Sequence, residues 1–251
     1  MNLRTFILVS ILFSIASVST SQEPLKHEKK FYRSPEGRLY INKDLPVYLR
    51  ISPTPDAKDS YLLKSEETKE YTNPMYFDTE GYNSVRSPWK VDPKTKKTVY
   101  PKGEVIFEVY ADSRPPYSKI DFGTNKYVKS GNRTIIGEKI NLSFRSRDAI
   151  AGVEDIYYSI NKAPFEKYSD TIHLTEEKEY LVKYYAVDHV GNAEDVNEIT
   201  LQLDMSSPAT ELKIEGDQHE SIISGRSEIV LSSKDQNSDV KQTYFSIDGG
   251  K

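Results

Sequence analysis

Histidines, cysteines and paired carboxylates are the side chains that most often carry chemistry, and this chain offers few usable combinations of them. It has no cysteine. Its four histidines, His27, His173, His189 and His219, stand alone. None has a second His or Cys at metal-ligand spacing, and there is no H-E-x-x-H. No G-x-S-x-G elbow and no phosphate-cradling glycine loop is present. The sequence therefore assigns no catalytic residue, cofactor or metal, and the expected reading is not an enzyme. One oxygen-rich stretch remains, formed by Asp188, Asn192, Glu194 and Asp195, with Asp148 and Asp155 expected on a neighbouring loop. Such ligands suit Ca²⁺. Their spacing does not fit an EF-hand, however, and Asp188-x-x-Gly191-Asn192 is explained as a tight turn. Asp148 recurs as Asp235 and is read as a loop cap that accepts backbone N–H groups.

The elements that must position these residues are strands. Residues 147–161 match residues 234–248 without a gap, at an offset of 87. Asp148 aligns with Asp235, Val153 with Val240, Tyr157 with Tyr244, and Ser159-Ile160 with Ser246-Ile247. An ungapped match of this kind points to duplicated domains. A second echo pairs 105–111 with 180–186. Val105, Phe107, Val109 and Ala111 alternate with polar or outward residues, as do Tyr180, Val182, Tyr184 and Ala186. Period-2 alternation of β-branched and aromatic residues predicts half-buried strands with these residues inward.

Punctuation sets the boundaries. Asp112-Ser-Arg-Pro-Pro116 and Asp204-Met-Ser-Ser-Pro208 occupy equivalent places and read as semi-rigid linkers. The expected organisation is a signal peptide over 1–21, a linker over 22–30, and a divergent β-sandwich over 31–115. A complete repeat follows over 116–207, then the first half of a further repeat over 208–251. Strands are predicted at 38–41, 45–51, 60–64, 104–111, 118–122, 139–146, 154–160, 170–174, 179–187, 196–203, 210–214, 228–233 and 242–247, with no helix in the mature chain. The last segment lacks a hairpin partner and is expected to be the least well packed. Short strands with regular turns indicate an all-β fold of tandem Ig-like sandwiches.

The first unit carries a polar insertion over 65–100 that includes Tyr76, Tyr82 and Trp89. These rings offer a recognition surface. The other reading is that they cover an open end of the sandwich.

Bulk properties bound the function. Arg4 followed by the apolar run Phe6–Val18 and the small residues Ser19-Thr20-Ser21 reads as a signal peptide, too short to span a bilayer. Export is expected, to the cell surface, outer membrane or periplasm, with no disulfides to help folding. No transmembrane helix is expected in the mature chain. The formal charge of −4 shows no basic excess, which argues against nucleic-acid binding.

The motif Tyr157-Tyr-Ser-Ile-Asn161, then Tyr168, then Val182-Lys-Tyr-Tyr-Ala-Val-Asp188 and Gly191-Asn192 resembles a bacterial Ig-like repeat. Such repeats occur in OmpL-type outer-membrane surface proteins of spirochaetes. They are also similar to the C-terminal sandwich module of chitobiase and β-hexosaminidase. Asn161-Lys162 departs from the Asp-Gly-Gly that the pattern carries and that 248–250 restores. The resemblance implies a surface or periplasmic repeat protein that binds a protein or glycan, by extension a host extracellular-matrix component. The alternatives it leaves open are a structural spacer, an accessory domain of a hydrolase, and an outer-membrane β-barrel.

Overall fold

Alternating apolar and polar residues make this an all-β chain, with no helix among the described residues. The computed structural model describes residues 23–48, 50–51, 58, 61–62, 74–86, 90–91, 94–95, 98–99 and 106–247. Residues 1–21, expected as a signal peptide, and Trp89 lie outside them.

The N-terminal part contains β1 (Phe31–Arg33), β2 (Leu39–Asn42), β3 (Arg50–Ile51), β4 (Tyr61–Leu62), β5 (Gly81–Arg86), β6 (Lys90–Val91), β7 (Thr98–Val99) and β8 (Ile106–Asp112). Four of them form one sheet in the order β1-β2-β8-β5, with β2 and β8 parallel and the other pairs antiparallel. Among the described residues, strands β3 and β4 pair only with each other, as do β6 and β7. Phe77, Val109 and Ala111 are the buried centre, flanked by Leu39, Ile41, Val47, Met75 and Val85. Phe107, expected to point inward with Val109, is exposed, and Val105 lies outside the described residues. Part of the expected polar insertion is a full strand. Gly81–Arg86 pairs along β8 through six residues, although its Asn and Ser carry little strand propensity.

The central part contains β9 (Tyr117–Asp121), β10 (Tyr127–Ser130), β11 (Arg133–Ile136), β12 (Ile140–Arg147), β13 (Val153–Ile160), β14 (Glu166–Lys167), β15 (Ile172–Leu174), β16 (Glu179–Asp188) and β17 (Asn197–Leu203). One sheet has the order β10-β11-β17-β16-β13-β14 and the other β15-β12-β9. Both sheets contribute to a single core. Ile136, Tyr180, Val182, Tyr184, Leu201 and Leu203 come from the first, and Ile140, Leu142, Phe144 and Leu174 from the second. This is a β-sandwich, and the inward set Tyr180, Val182, Tyr184, Ala186 is buried as expected. The opposite face of β16 is also buried, through Tyr185 and Val187. Between β13 and β14, Asn161 and Lys162 both take positive φ, of 51° and 68°, and Ala163 N–H donates to the Ile160 carbonyl. That is a primed hairpin turn, formed here without glycine at either central position.

The C-terminal segment contains β18 (Ala209–Glu215), β19 (Gln218–His219), β20 (Ile222–Ile223) and β21 (Glu228–Lys234). Strand β18 pairs with β21, and β19 with β20. Residues 242–247, predicted as a strand, form none. Tyr244, Phe245 and Ile247 are left 81%, 75% and 66% exposed. The matching segment, β13, is held between β14 and β16, and 242–247 has no such neighbours among the described residues.

Candidate functional site

A buried polar cluster lies where the N-terminal sheet meets the sandwich. Strand β8 ends in Asp112, β16 ends in Asp188, and the loop between β12 and β13 carries Asp148. Carboxylate oxygens of these three residues lie within 4.8 Å of one another. Asp112 and Asp188 are fully buried.

Each carboxylate is held by the backbone it organises. Asp112 Oδ1 accepts from Arg114 N–H at 2.9 Å and Oδ2 from Ala151 N–H at 3.0 Å. Asp148 Oδ2 accepts from Ile150 and Gly152 N–H, at 2.8 and 2.9 Å, which is the capping role its recurrence suggested. Asp188 Oδ1 accepts from Val190 and Asn192 N–H, so the Asp-x-x-Gly-Asn turn is built on that side chain. Gly191 takes φ of 87° within it.

Two asparagines complete the join. Asn192 donates its side-chain amide to Asp188 Oδ2 at 2.7 Å and to the Asp112 carbonyl at 3.3 Å. Asn42, at the end of β2, donates to the Val190 carbonyl at 3.1 Å and to Asn192 Oδ1 at 2.7 Å. Its own Oδ1 accepts from Asp44 N–H. Residues from both parts therefore share one buried hydrogen-bond network.

The electrostatics follow from that burial. Loss of water pushes the Asp112 carboxyl up to about 6, against the backbone donors and with help from the charges of Asp148 and Asp188. Burial also raises Asp188, while Asn192 and the turn amides pull it back. Three close carboxylates relieve their repulsion either by sharing protons or by taking a hard cation of the Ca²⁺ kind. Asp112, Asp148 and Asp188 are the residues that would hold such an ion.

Of the residues singled out in the sequence, the structure gathers Asp188, Asn192 and Asp148 and leaves the others elsewhere. Glu194 is engaged with Ser118, accepting from its N–H at 3.0 Å and its hydroxyl, and with Ala186 N–H at 2.8 Å. Asp155 pairs with Lys167 at 2.6 Å. Asp195 is exposed. Asp112 and Asn42 were missed as members. The one available signal for Asp112 was its place in a linker motif that recurs at Asp204.

A related arrangement stands at the far end of the sandwich. Asp204 is buried just after β17, beside Asp235. Asp235 Oδ1 accepts from Asn237 and Ser238 N–H, and these donors hold its carboxyl below the usual range. Ser206 donates to Asp204 Oδ1 at 3.1 Å and to Glu177 Oε1 at 2.6 Å, and Asn237 donates to the same Glu177 oxygen at 3.0 Å.

Two further features cross or adjoin the join. Tyr32, Tyr40, Tyr110 and Tyr82 sit directly opposite one another on β1, β2, β8 and β5. They alternate with the core residues Ile41, Val109 and Ala111, so they line the outer face. Neighbouring rings lie 6.1, 5.3 and 5.7 Å apart, and His189 stacks on Tyr32 at 4.1 Å. Arg38 sits over Tyr110, and Tyr82 donates to Glu108 at 2.8 Å.

The second feature is the stretch 23–30, expected as a linker. It has no regular structure yet is fixed against the sandwich. Leu25 N–H donates to the Tyr185 hydroxyl at 3.0 Å, and His27 Nε2 lies 3.1 Å from the same oxygen. Lys30 N–H donates to the Val190 carbonyl, and the Lys30 carbonyl accepts from Asn42 N–H.

A shallow polar depression lined by Asn132, Glu198, Ile199 and Thr200 has one carboxylate, and Glu198 is paired with Lys183 at 3.1 Å. No family model, no curated protein and no solved structure matches this chain.

Proposed function

We propose that the protein is a non-enzymatic, exported surface or periplasmic repeat protein of Ig-like sandwiches, whose N-terminal sheet is an interaction or adhesion module. The row of Tyr32, Tyr40, Tyr110 and Tyr82 carries this reading. A sheet needs no four-membered tyrosine row on its non-core face for folding alone, although cross-strand ring pairs do add stability. Tyrosine gives large contact area at low entropic cost, and its hydroxyl bonds protein or glycan equally well. Tyr82 comes from the 65–100 segment, whose rings the sequence offered either as a recognition surface or as a cover for an open end of the sandwich. The repeat motif and the open, two-sheet sandwich favour this class over a closed β-barrel.

The experiment is a binding assay of the intact chain on immobilised fibronectin, laminin, collagen and a glycan panel, against a Tyr40→Ala/Tyr82→Ala variant with confirmed folding. Loss of binding in the variant supports the module. Binding that survives intact, or no binding by the parent chain to any probe, rejects it.

A second reading, a structural spacer, is favoured by the buried network between the two parts. A spacer shows no ligand on these probes and keeps a fixed angle between its parts in solution scattering.

A further inference from the structure

We infer that residues 23–30 form a pH-sensitive clasp across the join, released when His27 takes up a proton.

The inference begins at the Tyr185 hydroxyl. Tyr185 is fully buried on the outer face of β16, among Phe165, Val187, Tyr157 and Val196. Its oxygen accepts from Leu25 N–H at 3.0 Å. With that lone pair engaged, we assign its own hydrogen to His27 Nε2, which lies 3.1 Å away and accepts it as an unprotonated ring nitrogen. That donation requires a neutral imidazole with its proton on Nδ1. The ring is further held against Tyr157 and Tyr185, with centroids 5.1 and 5.7 Å away.

A proton on Nε2 turns this acceptor into a donor. The Tyr185 O–H then points at another N–H and loses its partner inside the protein. A buried donor left unpaired is costly, and so is a desolvated imidazolium. Undocking residues 23–30 relieves both by returning His27 and the tyrosine hydroxyl to water.

The charges around the ring do not overturn this. Glu154 and Asp155 on β13 favour the charged ring, and Lys30 disfavours it. Both acids already have cationic partners. Lys30 donates to Glu154 at 2.7 and 2.8 Å, and Lys167 on β14 pairs with Asp155 at 2.6 Å. Tyr157 on β13 and Tyr185 on β16 are neutral phenols whose own ionisation is pushed further up by burial. Desolvation is the largest influence on His27 and lowers its proton affinity below the ordinary imidazole value of 6.5. A group whose folded value is depressed in this way holds its full docking contribution above that ordinary value. The contribution is lost as pH falls towards the depressed one.

The clasp bears on the join because it touches both sides. Lys30 bonds Val190 of the sandwich through its N–H and Asn42 of β2 through its carbonyl. The Gly191 Cα lies so close that an added Cβ would meet the Glu28 carbonyl oxygen at 2.1 Å. Releasing this stretch removes contacts that hold the two parts together.

Amide hydrogen exchange on the full chain, corrected for intrinsic rates, tests the clasp at about pH 7.5 and about pH 5. A proton NMR titration of the His27 ring accompanies it. Protection at residues 25–30 is expected to drop at least about tenfold at the lower pH, with a midpoint matching the His27 titration. In His27→Gln, which keeps an acceptor without a titrating nitrogen, protection at the two pH values is expected to be equal. Equal protection at both pH values in the parent chain overturns the inference. So does a release midpoint that departs from the ring titration, or the same pH dependence in His27→Gln.

Discussion

The side-chain amide of Asn42 reaches Asn192 Oδ1 at 2.7 Å, linking the end of β2 to the turn after β16, with both residues buried. Asn42 donates to Asn192 Oδ1, shares the Val190 carbonyl with Lys30 N–H, and accepts from Asp44 N–H. Asn42→Ala removes the partners of Asn192 Oδ1 and Asp44 N–H and one of the two donors to the Val190 carbonyl. Buried polar groups without partners cost about 1–3 kcal/mol each, so a loss of roughly 2–4 kcal/mol is expected after partial rescue by water. Urea unfolding reads the loss, and solution scattering should show a broader distribution of sizes.

Asp148→Asn is expected to raise the melting temperature at neutral pH in the presence of a chelator. Asparagine keeps an oxygen for Ile150 and Gly152 N–H and removes one of three crowded negative charges. Its new amide group is a donor beside two acceptors. A gain of about 1 kcal/mol corresponds to a few degrees for a domain of this size. A lower melting temperature instead would overturn the expectation that these charges repel one another.

Asp112 predicts a pH slope. Its folded value of about 6 exceeds the ordinary 3.8, so the folded protein binds more protons than the unfolded chain between those values. Stability from this group is therefore present at low pH and declines as pH rises through about 4 to 6, by up to about 3 kcal/mol. Comparing unfolding free energies of the parent and Asp112→Asn across this window isolates the effect. The variant's curve is expected to lack that decline.

The sandwich itself was legible because its strands alternate cleanly. The expected strands at 139–146, 154–160, 179–187 and 196–203 correspond to β12, β13, β16 and β17, and their apolar residues form the core. The short strands β10 and β11 were missed because Lys129, Ser130, Arg133 and Thr134 give no apolar run. Strand β5 was missed because Asn83 and Ser84 look like loop residues, while its partner β8 supplies the ladder. At the candidate site, Asp188, Asn192 and Asp148 were readable from turn chemistry. Asp112 and Asn42 were not, because a linker residue and a strand-end residue join that cluster only through tertiary contact.

Gly191→Ala should detach the N-terminal stretch at every pH. The position holds φ of 87°, and the new methyl would collide with the Glu28 backbone. Backbone strain alone is worth about 1–2 kcal/mol, and the collision adds to it. Hydrogen exchange should rise at residues 25–30 while the amides of β12 and β17 stay protected. Retained protection at 25–30 would mean that the turn relaxes without moving the stretch.

The aspartates at the two ends of the sandwich have a consequence for how its neighbouring segments attach. Asp148, Asp188 and Asn192 receive the preceding segment at one end, and Asp204 meets Asp235 of the following segment at the other. The sandwich thus carries a socket at its entrance and a plug at its exit.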